Sequence, residues 1–180
     1  MKIASTFSAV ALLLALGACS PRLSPFTERI YDENRLTEVD LKKIQFYLSD
    51  DIVLRRTLSV TDTRVQGGSI RIEGGRQMEE IVIRGGTPGV FLFSPKAKRF
   101  AISFESNREE RYLMFGPNPK MQGRFTLLAS EWGPQRGTVT YGGQQFEVTT
   151  SAAWAGLLVD IKRMDRVDMK SRTASGRTIR

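Results

Sequence analysis

The strongest constraint on this chain is a change of period. From Ile52 onward apolar residues recur at every second position in short runs, and four glycine pairs, Gly67-Gly68, Gly74-Gly75, Gly85-Gly86 and Gly142-Gly143, separate those runs. Period-two alternation lines one face of a strand, and glycine adopts the positive φ that tight turns demand. Strands are therefore predicted at Ile52–Val60, Ser69–Glu73, Glu79–Arg84, Gly89–Phe93, Arg99–Glu105, Arg111–Phe115, Arg124–Leu128, Thr138–Tyr141 and Gln145–Thr149. In the first of these Ile52, Leu54, Leu58 and Val60 share a face, and Arg56 looks inward with them. The expected fold is mainly β: an antiparallel meander forming a small barrel or sandwich of about eight to eleven strands, with one N-terminal amphipathic helix.

That helix is predicted from Glu38 to Leu48. Thr37 and Asp40 approximate a capping box, Leu41, Ile44 and Leu48 form one stripe, and Ser49-Asp50-Asp51 ends it. The segment from Gly89 to Phe104 reads as a hairpin around Ser94-Pro95, and its alternating aromatics Phe91, Phe93, Phe100 and Phe104, with Tyr112 and Phe115, are expected in the core. Between 151 and 164 the pattern fits helix and strand alike. A short turn followed by a strand is preferred, with a last edge strand around Val167 and Met169.

Ahead of all this, Met1-Lys2 forms a basic start to an apolar run from Ile3 to Leu16, too short for a membrane span of about 20 residues and closed by small residues. The only cysteine follows at once. Leu16-Gly17-Ala18-Cys19 resembles the lipobox of bacterial lipoproteins, in which the cysteine thiol receives a diacylglyceryl group and signal peptidase II cuts before it. The resemblance implies a signal peptide over 1–18, with Leu16, Gly17 and Ala18 read by the peptidase, and a lipidated Cys19 whose two or three acyl chains hold the protein on a membrane. Ser20 in place of aspartate after the cysteine implies the outer membrane, and Pro21-Arg22-Leu23, without an acidic run, implies the periplasmic side. The β region resembles uncharacterised Gram-negative envelope lipoproteins, a likeness that carries no activity.

The rest of the chain divides into a proline-bearing tether over 19–35, one β-rich domain over 36–169 and a basic C-terminal tail over 170–180. The chain holds 27 Lys and Arg against 19 Asp and Glu, a net +8, and Lys170, Arg172, Arg177 and Arg180 concentrate part of that excess. Such a tail suits an anionic lipid surface or plain solvation. Nucleic acid is excluded as a partner by the export signal. An acylated Cys19 leaves no thiol for a disulfide.

Chemistry is limited by the absence of histidine, which removes Ser-His and Cys-His catalysis and histidine metal sites. No calcium-loop spacing occurs and Arg84-Gly85-Gly86 lacks a phosphate-loop context, so neither metal nor cofactor is expected. The carboxylates Asp50-Asp51, Glu79-Glu80, Glu109-Glu110 and the trio Asp160, Asp165, Asp168 read as solvated charges, since neighbours on a strand point to opposite faces. Three activities stay open. The first is a non-catalytic, lipid-anchored binding or scaffold module with an envelope protein partner. The second is a carboxylate-dependent envelope enzyme such as a glycan hydrolase. The third is a binder of anionic lipid or polysaccharide through Arg55, Arg56 and the tail.

Overall fold

Two of the glycine pairs are hairpin turns: Glu73 faces Arg76 across Gly74-Gly75, and Tyr141 faces Gln144 across Gly142-Gly143. All four glycines have positive φ, between 56° and 76°, as a two-residue type I′ turn requires. The computed structural model describes residues 22–59, 68–106 and 108–164. These form thirteen strands in two antiparallel sheets around one core.

The strands are β1 (Leu23–Pro25), β2 (Phe46–Leu48), β3 (Ile52–Thr57), β4 (Ser69–Glu73), β5 (Arg76–Ile83), β6 (Pro88–Lys96), β7 (Arg99–Ser103), β8 (Leu113–Asn118), β9 (Arg124–Leu128), β10 (Glu131–Trp132), β11 (Arg136–Tyr141), β12 (Gln144–Thr149) and β13 (Leu157–Asp160). The larger sheet runs β1-β13-β2-β6-β7-β8-β9 and the smaller β10-β11-β12-β3-β5-β4. Runs of consecutive antiparallel neighbours are β6 to β9 in the larger sheet and β10 to β12 in the smaller. At one corner β2 continues into β3 and β5 into β6, so both chains change sheets there, and Asp51 pins the corner by accepting from Gly85 N and Arg84.

The larger sheet curls until its last strand meets its first. Phe125 N donates to Phe26 O, Leu127 N to Ala155 O and Phe26 N to Leu157 O, at 2.8–3.0 Å. Inside lies a knot of rings centred on Phe26, which is fully buried against Phe46, Phe100 and Phe125. Helix α1 (Glu28–Glu33), N-capped by Thr27, covers this knot with Tyr31 and is tied by Glu28 and Asp32 to Lys98.

Several expectations change. The tether of 19–35 is, from Leu23 on, part of the fold. The signals Pro21 and Pro25 suggested a linker, but Leu23–Pro25 pair with β13 and Phe26 is the hub of the core. The helix expected from Glu38 to Leu48 is a single turn, α2 (Glu38–Leu41). Its predicted capping box is present, with Thr37 accepting from Asp40 N and Asp40 from Thr37 N. Beyond it Phe46 and Leu48 are buried with Tyr47 between them partly exposed, a period of two that a β-sheet partner enforces over the helical stripe. The aromatic alternation also breaks: a bulge between Phe91 and Phe93 turns Phe91 into the core and Phe93 outward, where it meets Tyr112 edge to face at 5.1 Å. The 151–164 segment does contain a turn, Thr150–Trp154, before β13, and a short helix over 161–164 follows. The edge strand expected at Val167 and Met169 lies outside the described residues.

Candidate functional site

Three surface hollows and two internal charge clusters are the chemically rich places. The first hollow is an open groove of about 690 Å³ on the outer face of the smaller sheet, where Arg55, Arg76 and Arg136 gather above Met78 with Glu147. Two of its three arginines are engaged: Arg55 donates to Glu80 at 2.8 Å and Arg136 to Glu147 at 2.6 Å. The second, about 460 Å³, is apolar, walled by Phe93, Tyr112, Met114 and Leu128 with Arg99 at its rim. The third, about 230 Å³, lies between Lys43 and Arg163, with Gln45, Tyr47 and Asp160 on its walls.

Inside the protein, adjacent residues of β3 serve opposite faces. Arg55 points out. Arg56 points in, as the alternation predicted, and donates through Nε to Glu79 Oε2 at 2.7 Å while its guanidinium lies 5.5 Å from the centre of the Phe146 ring. Glu79 is fully buried and Glu80 nearly so. The Glu80 carboxyl is held below its ordinary range, first by the hydrogen bond from Arg55 and then by the charge of Arg71, against the opposing effect of burial. The solvated reading of Glu79-Glu80 is thus corrected: period two sends them to opposite faces, and each face supplies an arginine. Arg55 and Arg56 likewise cannot share one anion-binding surface, because Arg56 is committed to the interior.

The second cluster joins Glu105, Arg111 and Tyr141. Tyr141 Oη donates to Glu105 Oε1, Arg111 donates to Glu105 Oε2 at 2.7 Å, and Ser103 Oγ donates to the Arg111 carbonyl at 2.8 Å. Burial first, then the Glu105 hydrogen bond, pushes the Tyr141 phenol well above its ordinary ionisation range. The buried Arg111 Nε has no hydrogen-bond partner among the described residues. The cluster fastens the 103–111 loop to β11. Sequence reasoning missed it, although a signal existed: Val139 and Tyr141 share the inward parity, and a buried tyrosine hydroxyl needs a partner.

No family model, curated protein or solved structure matches the chain.

The residues read as the processing and lipidation site, Leu16, Gly17, Ala18 and Cys19, lie outside the described residues. What the structure places is the point where their segment joins the fold: Leu23 pairs with Asp160, so the first strand begins beside the end of the last. Of the other carboxylates, Asp50 accepts from Ser49 Oγ, Asp51 is held low by Gly85 N and Arg84, Asp160 pairs with Arg163, and Glu109 and Glu110 are exposed. Asp165 and Asp168 lie outside the described residues. The groove carries one carboxylate, Glu147, the Lys43–Arg163 hollow one, Asp160, and the apolar hollow none. A pair of carboxylates facing across a cleft, which glycan hydrolysis requires, is formed in none of these three. Among the described residues no group of three or more acidic or cysteine side chains is placed to hold a metal ion, and no helix is long and apolar enough to cross a membrane.

Proposed function

We propose that this protein is a lipid-anchored component of the bacterial cell envelope, held by acylated Cys19 at the outer membrane on its periplasmic side, and that it acts there as a non-catalytic binding or scaffold module. The observation that carries the reading is the sequence Leu16-Gly17-Ala18-Cys19 closing a short apolar run. The fold supports it sterically. Three residues lie between Cys19 and Leu23, and an extended chain covers at most about 3.6 Å per residue, so the four steps keep the start of β1 within roughly 15 Å of the Cys19 backbone. The protein is in effect seated on its membrane rather than hung from a leash. Two outward surfaces are free to serve a partner, the arginine groove and the apolar Phe93–Tyr112 hollow.

The test is Cys19→Ser in the full chain. The substituted protein is expected to keep its leader, to lose the acyl mass, and to leave the outer-membrane fraction. Wild-type-like processing and fractionation would refute the anchor.

A further inference from the structure

We infer that the edge of the fold where β1 begins and β13 ends is a docking face for anionic phospholipid headgroups, with the hollow between Lys43 and Arg163 as the seat of a headgroup phosphate. The proposal rests in part on the lipid anchor argued above, because Cys19 brings this edge, and no other, to the bilayer. The register fixes the edge: Leu23 pairs with Asp160, and Val159 pairs with Phe46, so the starts of β1 and β2 and the end of β13 lie together.

The chemistry of that edge suits a phosphate. Arg22, Lys42, Lys43, Lys162 and Arg163 are all exposed there. Acidic groups lie among them: exposed Glu38 on the turn that ends at Lys42, Asp40, whose carboxyl is held low first by hydrogen bonds from Thr37 and in part by the charge of Lys43, and Asp160, which lies 3.5 Å from Arg163 and accepts from Lys162 N. The Asp160–Arg163 contact is long, with Arg163 largely exposed and Asp160 mostly covered, and it leaves most of the five guanidinium donors of Arg163 for an anion. Lys43 lines the same 230 Å³ hollow, so a phosphate seated there has an ammonium and a guanidinium from which to accept charge-assisted hydrogen bonds. The arginine groove is the weaker candidate. Arg55 and Arg136 are spent on Glu80 and Glu147, and β3 carries the groove away from the anchor.

The experiment uses the full lipidated protein in phosphatidylethanolamine vesicles with and without phosphatidylglycerol, bearing a nitroxide on the headgroup. A fluorophore is attached at Lys42→Cys or Lys162→Cys on the proposed face, or at Gln77→Cys on the remote β4–β5 hairpin. Mass spectrometry of the same preparation reports the state of Cys19. With Cys19 acylated, stronger quenching at 42 and 162 than at 77, dependent on phosphatidylglycerol and lost in a Lys43→Gln, Arg163→Gln background, supports the face. Equal quenching at all three positions overturns it and leaves the anchor standing. An unmodified Cys19 removes the anchor instead, and the face is then judged by vesicle sedimentation alone. Binding to phosphatidylglycerol vesicles that weakens about fivefold for each of the two charges removed supports it, and binding indifferent to them overturns it.

Discussion

Arg56 and Glu79 face each other between β3 and β5 in the protein interior, Nε to Oε2 at 2.7 Å, with the carboxylate fully buried and Phe146 under the guanidinium. Taking two charges out of water costs several kcal/mol, offset only while both partners are present. Arg56→Ala or Glu79→Ala is therefore expected to destabilise the protein by about 3–5 kcal/mol, whereas the double change Arg56→Met, Glu79→Leu recovers most of that loss. Urea unfolding of the three variants checks it. A single variant as stable as the wild type would show that the pair is solvated.

Phe26 sits outside the domain boundary that composition suggests and at the centre of the ring cluster. Phe26→Ala should cost about 3–5 kcal/mol, as truncation of a buried phenylalanine does when neighbours cannot collapse into the space. A tether residue would cost nothing measurable, so thermal unfolding separates the two.

The acid limb of stability is tied to Glu80. Its folded carboxyl titrates below the ordinary value of 4.5, so the unfolded chain takes up the proton first as pH drops. The stabilisation is complete above that ordinary value and is lost as pH falls through the lower, folded one. Glu80→Gln is expected to flatten the decline in urea midpoint between about pH 5 and pH 3. An unchanged acid slope would count against the role given to Arg55 and Arg71.

Tyr141 governs the alkaline side in the opposite sense. Its folded phenol titrates above the ordinary value of 10.0, so the folded state keeps a proton that the unfolded state releases. Stability is fully present below pH 10 and falls beyond it. Tyr141→Phe should lower stability at neutral pH by about 1–3 kcal/mol, through loss of the hydrogen bond to the Glu105 carboxylate, and should remove part of the alkaline fall. Circular dichroism across pH 8 to 11 reads both.

Much of the architecture was readable because the strands between Ser69 and Thr149 are compact β-prone runs, several of them ending at turns whose chemistry is explicit. Ser69–Glu73 and Arg124–Leu128 match the sequence reading to the residue, and Gly74-Gly75 and Gly142-Gly143 are the turns their type demands. What escaped is of two kinds. Strands of two or three residues, such as Leu23–Pro25, Phe46–Leu48 and Glu131–Trp132, are too short to display a period, and the first two are strands only through partners distant in sequence. The bulge at Phe91–Phe93 reverses the parity of an aromatic run without any glycine to announce it. The interior ion pair was half visible: Arg56 read as inward, but its match to Glu79 depends on a register that no local pattern sets. The proposed lipidation motif is contiguous and needs no fold to be noticed, whereas the hollow lined by Lys43 and Arg163 forms only through the pairing of β2 with β13.

Stitching Leu23 to Asp160 also imposes a timetable. A polypeptide emerging from a ribosome, or drawn through a translocation pore, delivers its first strand long before the partner of that strand exists, and the ring cluster around Phe26 stays open meanwhile. Closure waits for nearly the whole chain, as folds built from distant pairings do. Such a molecule stays pliable until its last strand is delivered.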